Sequence, residues 1–382
     1  MMPGSKLEIG IELIMNTNSK VLVALAVGAF TGSALAEVEI TPRGRMHLDA
    51  GMYKDDVTEI GNGFNVRRGR LGMQGNLSPD WRFVIEYDFA EGGDASAADV
   101  NIRTKLAGGN VTIGHQRVPF SLNTLTSSNS ITFMERSSGS TVITPDRKLG
   151  VRFDKTFGNL TSESMLFGRT MNTEGDAGKD DSMGLAQRII YHPKVDDVQY
   201  HFAGAFVYQD MGDYNTLRLR DRPELRIDSG VRLIDTGTLE GINSINRFGL
   251  EAAFINGAWS AEAEAMTLNT SSTVEDVSFS GYHFQLSYVL TGESRSYKNG
   301  LFSGVKPSKE SGAIEVAARY SVTDLNDGTV FGGEQKNLTL GVNYYLLNNL
   351  RFMGNIVFSD IDTPSGVTEE PIGFGVRAQY HF

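Results

Sequence analysis

Arginine carries the clearest chemical suggestion in this chain. Arg67, Arg68 and Arg70 crowd four positions, Arg45 precedes them, and Leu217–Arg226 reads LRLRDRPELR, with Arg218, Arg220, Arg222 and Arg226. A guanidinium stays charged at any relevant pH and forks onto phosphate or carboxylate. Such groups could gather small anions, or they could form a solvated run whose field Asp221 and Glu224 dilute. Carboxylates recur in pairs, Glu86 with Asp88 and Glu262 with Glu264. A strand puts such pairs on one face, as two-carboxylate glycoside chemistry requires, but charged residues lining a water-filled interior give the same pattern, and this is the reading we adopt. The six histidines (His47, His115, His192, His201, His283, His381) are scattered, without His-Glu-x-x-His or other ligand spacing. No Gly-x-Ser-x-Gly, phosphate-loop or dinucleotide motif is present. The sequence therefore predicts no enzyme, no cofactor and no metal centre; the acidic runs Asp176–Asp181 and Glu369–Glu370 read as solvated loop tips or as contacts for divalent cations that bridge lipopolysaccharide, with loop calcium binding as the alternative.

Composition narrows the class. The chain has 382 residues, 43 glycines, no cysteine and a formal charge of -11. Lacking cysteine, it has no disulfides, thiolate zinc sites or thiol catalysis, and its acidity gives no electrostatic footprint for nucleic acid. Met15–Ala36 has a positive n-region at Lys20, an apolar run from Val21 to Phe30 and Ala34-Leu35-Ala36 before Glu37. This is the tripartite pattern of a signal peptide, with an apolar core too short to span a membrane. Residues 1–36 are thus a signal peptide (15–36) with an upstream extension, and the mature chain is expected to begin at Glu37.

From Thr41 onward the pattern has a period of two. Arg43, Arg45, His47 and Asp49 share one face, opposite Gly44, Met46, Leu48 and Ala50. The same alternation marks about sixteen segments, near 42–53, 64–77, 81–90, 98–107, 109–117, 149–157, 160–171, 184–193, 198–209, 247–256, 258–268, 277–290, 311–321, 334–347, 349–359 and 372–382. Turns are signalled at 77–80, Asn256-Gly257 and Asn348-Asn349. Several segments match the 9–11 residues of a tilted outer-membrane strand. Charges of both signs opposite the apolar faces favour a water-filled lumen over a soluble sandwich core, and the final strand carries Tyr380 and Phe382, an aromatic terminus of the kind read in outer-membrane assembly. Arg45 is expected in the lumen. Arg67 and Arg68 are adjacent, so both can face inward only if one lies at a bulge or at the rim.

FNVRRGRLG (Phe64–Gly72), WRFVIEYDF (Trp81–Phe89), GHQRVPFSLNTLTSSNSITFMERS (Gly114–Ser137) and YVLTGESRSYK (Tyr288–Lys298) resemble the phosphate-selective porin O/P family, and the resemblance extends over the mature chain. It implies a sixteen-stranded trimeric porin with an inward-folded third loop, at 118–147. It places Arg136, beside Glu135, in the constriction, and Arg218, Arg220, Arg222 and Arg226 in an anion-gathering fifth loop. Where phosphate-specific members carry two third-loop lysines, this chain has Thr124 and Asn129, and an aspartate near their aperture falls on Ala98, with Asp99 adjacent.

The reading is therefore an all-β, transmembrane antiparallel β-barrel of 16 strands over 37–382, in the outer membrane of a Gram-negative bacterium. Its expected partners are lipid, lipopolysaccharide, two further copies of itself and small anions; nucleic acid is not among them. Its expected function is passive diffusion of small hydrophilic solutes with an anion preference, phosphate among the anions considered. The alternatives are a non-selective or cation-preferring porin, and a non-conducting barrel used for adhesion or hydrolysis.

Overall fold

The computed structural model describes residues 38–90, 94–173 and 175–382. The expected signal peptide and the junction at Glu37 lie outside the described residues. Sixteen antiparallel strands form the wall: β1 Glu39–Lys54, β2 Gly63–Asn76, β3 Trp81–Asp88, β4 Ser96–Leu106, β5 Gly109–Arg117, β6 Arg147–Phe157, β7 Leu160–Phe167, β8 Met183–Tyr191, β9 Val198–Asp210, β10 Ile242–Asn256, β11 Trp259–Ser272, β12 Ser278–Val289, β13 Ala313–Asp327, β14 Val330–Leu347, β15 Leu350–Asp362 and β16 Ile372–His381. Each pairs with its sequence neighbours, and β16 returns to β1 with Arg45 opposite His381 and Lys54 opposite Ile372. Phe382 adds two backbone hydrogen bonds to Gly44 across this seam, 3.0 and 3.1 Å long. The wall is a closed barrel, which leaves no strand edge unpaired.

Alternation divides the faces as the sequence requires. Met46, Leu48, Phe202, Leu250, Phe284, Leu340, Phe374 and Val376 are exposed on the outside. Arg45, His47, Asp49, Arg188, Glu251, Arg319, Arg351 and Arg377 are buried within. A long barrel with apolar outer residues and charged inner ones suits lipid outside and water inside.

The observed strands outrun the predicted segments where the apolar signal stops before the ladder does. β13 and β14 continue past their apolar band to a turn at Gly328-Thr329, with Asn326 opposite Phe331 and Asp327 opposite Val330. Their polar tips lack the alternation that marks a lipid-facing strand. β10 likewise begins at Ile242 rather than near 247, whereas β7 stops short of its predicted segment, at Phe167 rather than 171.

Turns at one end are short, as at 107–108, 158–159 and 257–258; connections at the other include 118–146, 168–182 and 211–241. The segment 290–312 breaks this order. It is long, yet it leaves β12 at the short-turn end, where Val289 N–H meets the Ala258 carbonyl. It forms a hairpin (Arg295–Lys298 with Leu301–Val305) that turns back into the barrel. There Arg295 pairs with Glu315 of β13 at 2.7 Å, and the Tyr297 hydroxyl meets His201 of β9 at 2.7 Å.

Candidate functional site

The third loop, 118–146, lies inside the barrel with Phe120, Leu122, Ile131, Phe133 and Met134 almost fully buried. Buried loop backbone must find hydrogen-bond partners, and the wall provides them. Arg351 donates to the Ile131 carbonyl at 2.9 Å, Asn343 to Thr132 at 2.8 Å, Arg319 to Glu135 at 3.0 Å and Arg247 to Ile143 at 2.8 Å. Asn355 Oδ1 accepts from Met134 N–H at 2.7 Å. Two short helices complete the loop: α1, Leu122–Leu125, capped by the Ser121 hydroxyl, and α2, Ser138–Val142, capped by the Ser137 hydroxyl. α2 lies flush on β12 because glycines meet there. A Cβ on Gly281 would stand 2.8 Å from the Gly139 Cα.

Opposite this anchored side, a cavity of about 440 Å³ remains between the loop and strands β2–β6. Seven arginines line it (Arg67, Arg68, Arg70, Arg117, Arg136, Arg147 and Arg226) with three carboxylates, Asp88, Glu135 and Asp146. Asp99 adjoins it, paired with Arg147 at 2.9 Å. The local excess of positive charge contrasts with the acidic chain as a whole.

Arg67 and Arg68 both reach the interior, and a bulge is the reason. His47 pairs with Arg68 and Leu48 with Val66, so Arg67 is skipped in the register. The two guanidiniums reach Glu135 at 2.9 and 3.5 Å, joined by Arg377 at 2.7 Å and Arg226 at 3.8 Å. Burial alone raises a carboxyl, but these four guanidiniums hold Glu135 well below the usual carboxylate range. A second bulge, between Ile85 and Tyr87 opposite Val100 and Ala97, accommodates Ala98 and Asp99. Ala98 lines the cavity while Asp99 engages Arg147.

Arg136 donates to the backbone carbonyls of Asn123 at 2.8 Å and Thr126 at 2.7 Å. It therefore braces the loop as well as lining the cavity. Burial lowers its guanidinium to about 9, with Arg147, Arg70 and Arg67 adding to the effect and Glu135 opposing it. Arg117 lines the same cavity, and its side chain has no hydrogen bond or ion pair among the described residues. Arg70 pairs with Asp88 at 2.7 Å and Glu86 at 3.3 Å, and Arg45 pairs with Glu86 at 3.1 Å. Glu86 and Asp88 thus sit among guanidiniums, and their carboxylate pair is charge-compensated.

The other sequence candidates separate. Thr124 is buried on α1 and lines the cavity, whereas Asn129 turns to the wall, its Oδ1 3.2 Å from His47 Nε2. Of the fifth-loop arginines, Arg226 lines the cavity. Arg218 is exposed and paired with Asp235 at 2.6 Å, Arg220 is exposed, and Arg222 turns to the Asp228 carbonyl. Glu224, read from sequence as diluting the loop's charge, is buried, binds Arg319 at 2.6 Å and accepts from Ser138 N–H at 3.0 Å, so it ties the fifth loop to the third and to the wall. Asp221 is also buried, and burial raises its carboxyl. Sequence reasoning overlooked the cavity roles of Arg117 and Arg147 and the loop-anchoring roles of Arg319, Arg351 and Arg377. Their signal was present, since each falls on or beside a charged strand face, but the third-loop partners of Arg319, Arg351 and Arg377 lie more than 100 positions away and cannot be read from alternation.

A closed sixteen-stranded barrel with an apolar exterior, a charged interior and a third loop folded inward is an outer-membrane porin. The match to the family described as "Phosphate-selective porin O and P" covers residues 40–382, and the chain belongs to that family. Porin O of Pseudomonas aeruginosa is 26% identical over 386 residues, covering 89% of this chain and 87% of its own length. An uncharacterized protein of Caulobacter vibrioides is 31% identical over 335 residues, covering 81% of this chain; this chain spans 66% of that relative, a little under two thirds. Solved structures with the same fold include an anion-selective porin from Comamonas acidovorans, at 13% identity and TM-score 0.56, covering 91% of this chain and all of that one. Another is the trimer form of OmpT of Vibrio cholerae, at 10% identity and TM-score 0.56, covering 90% and 99%.

Proposed function

We propose that this porin passes small hydrophilic solutes by diffusion and prefers anions. The observation carrying this reading is the cavity beneath the third loop, where seven arginines face three carboxylates. Charges in a narrow passage with low-dielectric walls act on an ion more strongly than the same charges on an open surface. The anion preference is broad rather than dedicated to phosphate. Thr124, at the cavity wall, replaces a lysine of phosphate-specific members, and Asn129 faces His47 instead of the cavity. Arg136 and Glu135 shape the constriction, Arg45, Arg67, Arg68 and Arg70 continue the cationic path, and Arg226 contributes from the fifth loop. Arg218, Arg220 and Arg222 act at most as outer collectors. The barrel works as a homotrimer in lipid and lipopolysaccharide, as in trimeric porins of this fold.

Reversal potentials across a planar bilayer in a KCl gradient test the preference, and repetition with added phosphate tests its breadth. A potassium preference would refute the reading. Thr124→Lys should create or strengthen phosphate block, because it restores a cation at the cavity. Asn129→Lys should do less.

A further inference from the structure

On the far side of the third loop, β11 and β12 bring Glu262, Glu264 and His283 together, each at least 97% buried. One donor atom from each lies within 4.8 Å of the others. His283 Nε2 and Glu262 Oε1 are hydrogen-bonded at 3.0 Å, a separation that two ligands of one ion could also take up. Neither glutamate is paired with arginine or lysine among the described residues, unlike Glu86, Glu135, Glu251 and Glu315 in the same barrel. Two buried carboxylates side by side need a compensating cation or proton.

A second observation points to a cation. Asn123, on α1, donates its side-chain amide to Glu262 at 2.9 Å, while its Oδ1 has no partner. Gln285 stands directly across from Glu262 in the β11–β12 register, and its Oε1 is also unpartnered. Both residues are more than nine-tenths buried. Neither carboxylate has an arginine or lysine partner among the described residues, and the two residues next to Glu262 each keep a buried carbonyl oxygen without a donor, so the surroundings are short of donors and cations. Donors bonded to one tetrahedral ion at about 2.1 Å lie about 3.4 Å apart, so closing this set needs shifts of up to about 1.4 Å.

We propose that Glu262, Glu264 and His283 bind one divalent cation of the zinc type between wall and third loop, with the Asn123 amide turned over so that its carbonyl oxygen completes the set. One imidazole among oxygen donors suits zinc better than calcium. Glu264 also accepts from Ser121 Oγ at 2.6 Å and Asn123 N–H at 2.7 Å, so the ion seats α1 against the wall and steadies the side of the loop away from the cavity.

Barrel refolded after chelation should bind one equivalent of Zn²⁺ by calorimetry and metal analysis. Binding should raise the temperature at which the heat-modifiable barrel unfolds. Glu264→Gln and His283→Gln should each weaken binding by about 100-fold or more, since even loss of an outer-shell partner costs about 10–100-fold. Should either variant fail to fold, Co²⁺ on the unaltered barrel gives the readout, as a histidine-bound ion has a characteristic visible spectrum that Zn²⁺ displaces. No stoichiometric Zn²⁺, unchanged affinity in both folded variants, or equal competition by Ca²⁺ would each overturn the assignment.

Discussion

Arg117→Glu isolates the electrostatics of the cavity from its architecture, because Arg117 lines the passage without holding anything in place. A monovalent ion passing about 6 Å from a unit charge in water feels about 0.7 kcal/mol. Reversing the charge doubles this to about 1.4 kcal/mol, opposite in sign for chloride and potassium. At 0.1 M salt the screening length of about 10 Å leaves roughly half. Each ion then shifts about threefold in occupancy, and the chloride-to-potassium permeability ratio falls about tenfold. At 1 M, with screening near 3 Å, the fall shrinks to about twofold. Arg117→Gln should give about half the energy, hence about threefold at 0.1 M. The assay is the reversal potential of single barrels in KCl gradients at both salt levels. Arg218→Glu is the control. Arg218 is exposed and already paired with Asp235, so its reversal should change the ratio little. An Arg117→Glu barrel that inserts and conducts with an unchanged ratio at 0.1 M would show that ions do not pass this cavity, and the proposed filter would fall.

Glu135→Gln should destabilise the folded barrel by about 3–5 kcal/mol, the cost of breaking a buried pair, because Arg67, Arg68, Arg377 and Arg226 lose their shared anion. Its folded pKa is depressed, so the stabilisation is present above the usual carboxylate value and disappears as pH falls through the folded one. Thermal midpoints of wild type and variant should therefore differ at pH 6 and converge only in strong acid; convergence already at pH 4 contradicts the assignment. Gly281→Leu should drive α2 off the wall into the lumen and lower single-channel conductance, at an overpacking cost of about 1–3 kcal/mol. Unaltered conductance would mean that the loop does not rest on that glycine. The mature chain should begin at Glu37, which mass spectrometry of outer-membrane material checks; retention of Met1–Ala36 would refute the signal-peptide reading.

The wall was legible in the sequence because lipid outside and water inside impose a period of two, and a one-residue slip would turn every charge toward lipid. Arg45 and Asp49 could thus be assigned to the lumen, and the turns at 77–80 and 256–257 located, without coordinates. The alternation also forced the choice at Arg67 and Arg68, a bulge or the rim. Tertiary structure decided in favour of the bulge, since Glu135 gathers both guanidiniums from a loop 68 and 67 positions away. Where charge accumulates was likewise undecidable from composition. A chain of -11 presents seven arginines to one cavity because its third loop folds back on β2–β6, while many of its acids project from loop tips. Glu262 and Glu264 could be read as sharing a face, but His283 joins them only through the β11–β12 register and Asn123 only through the buried loop. Local spacing determines which face a side chain takes. Its company across the lumen is fixed by barrel closure and by the hydrogen bonds that a buried loop must make, and neither has a period to read.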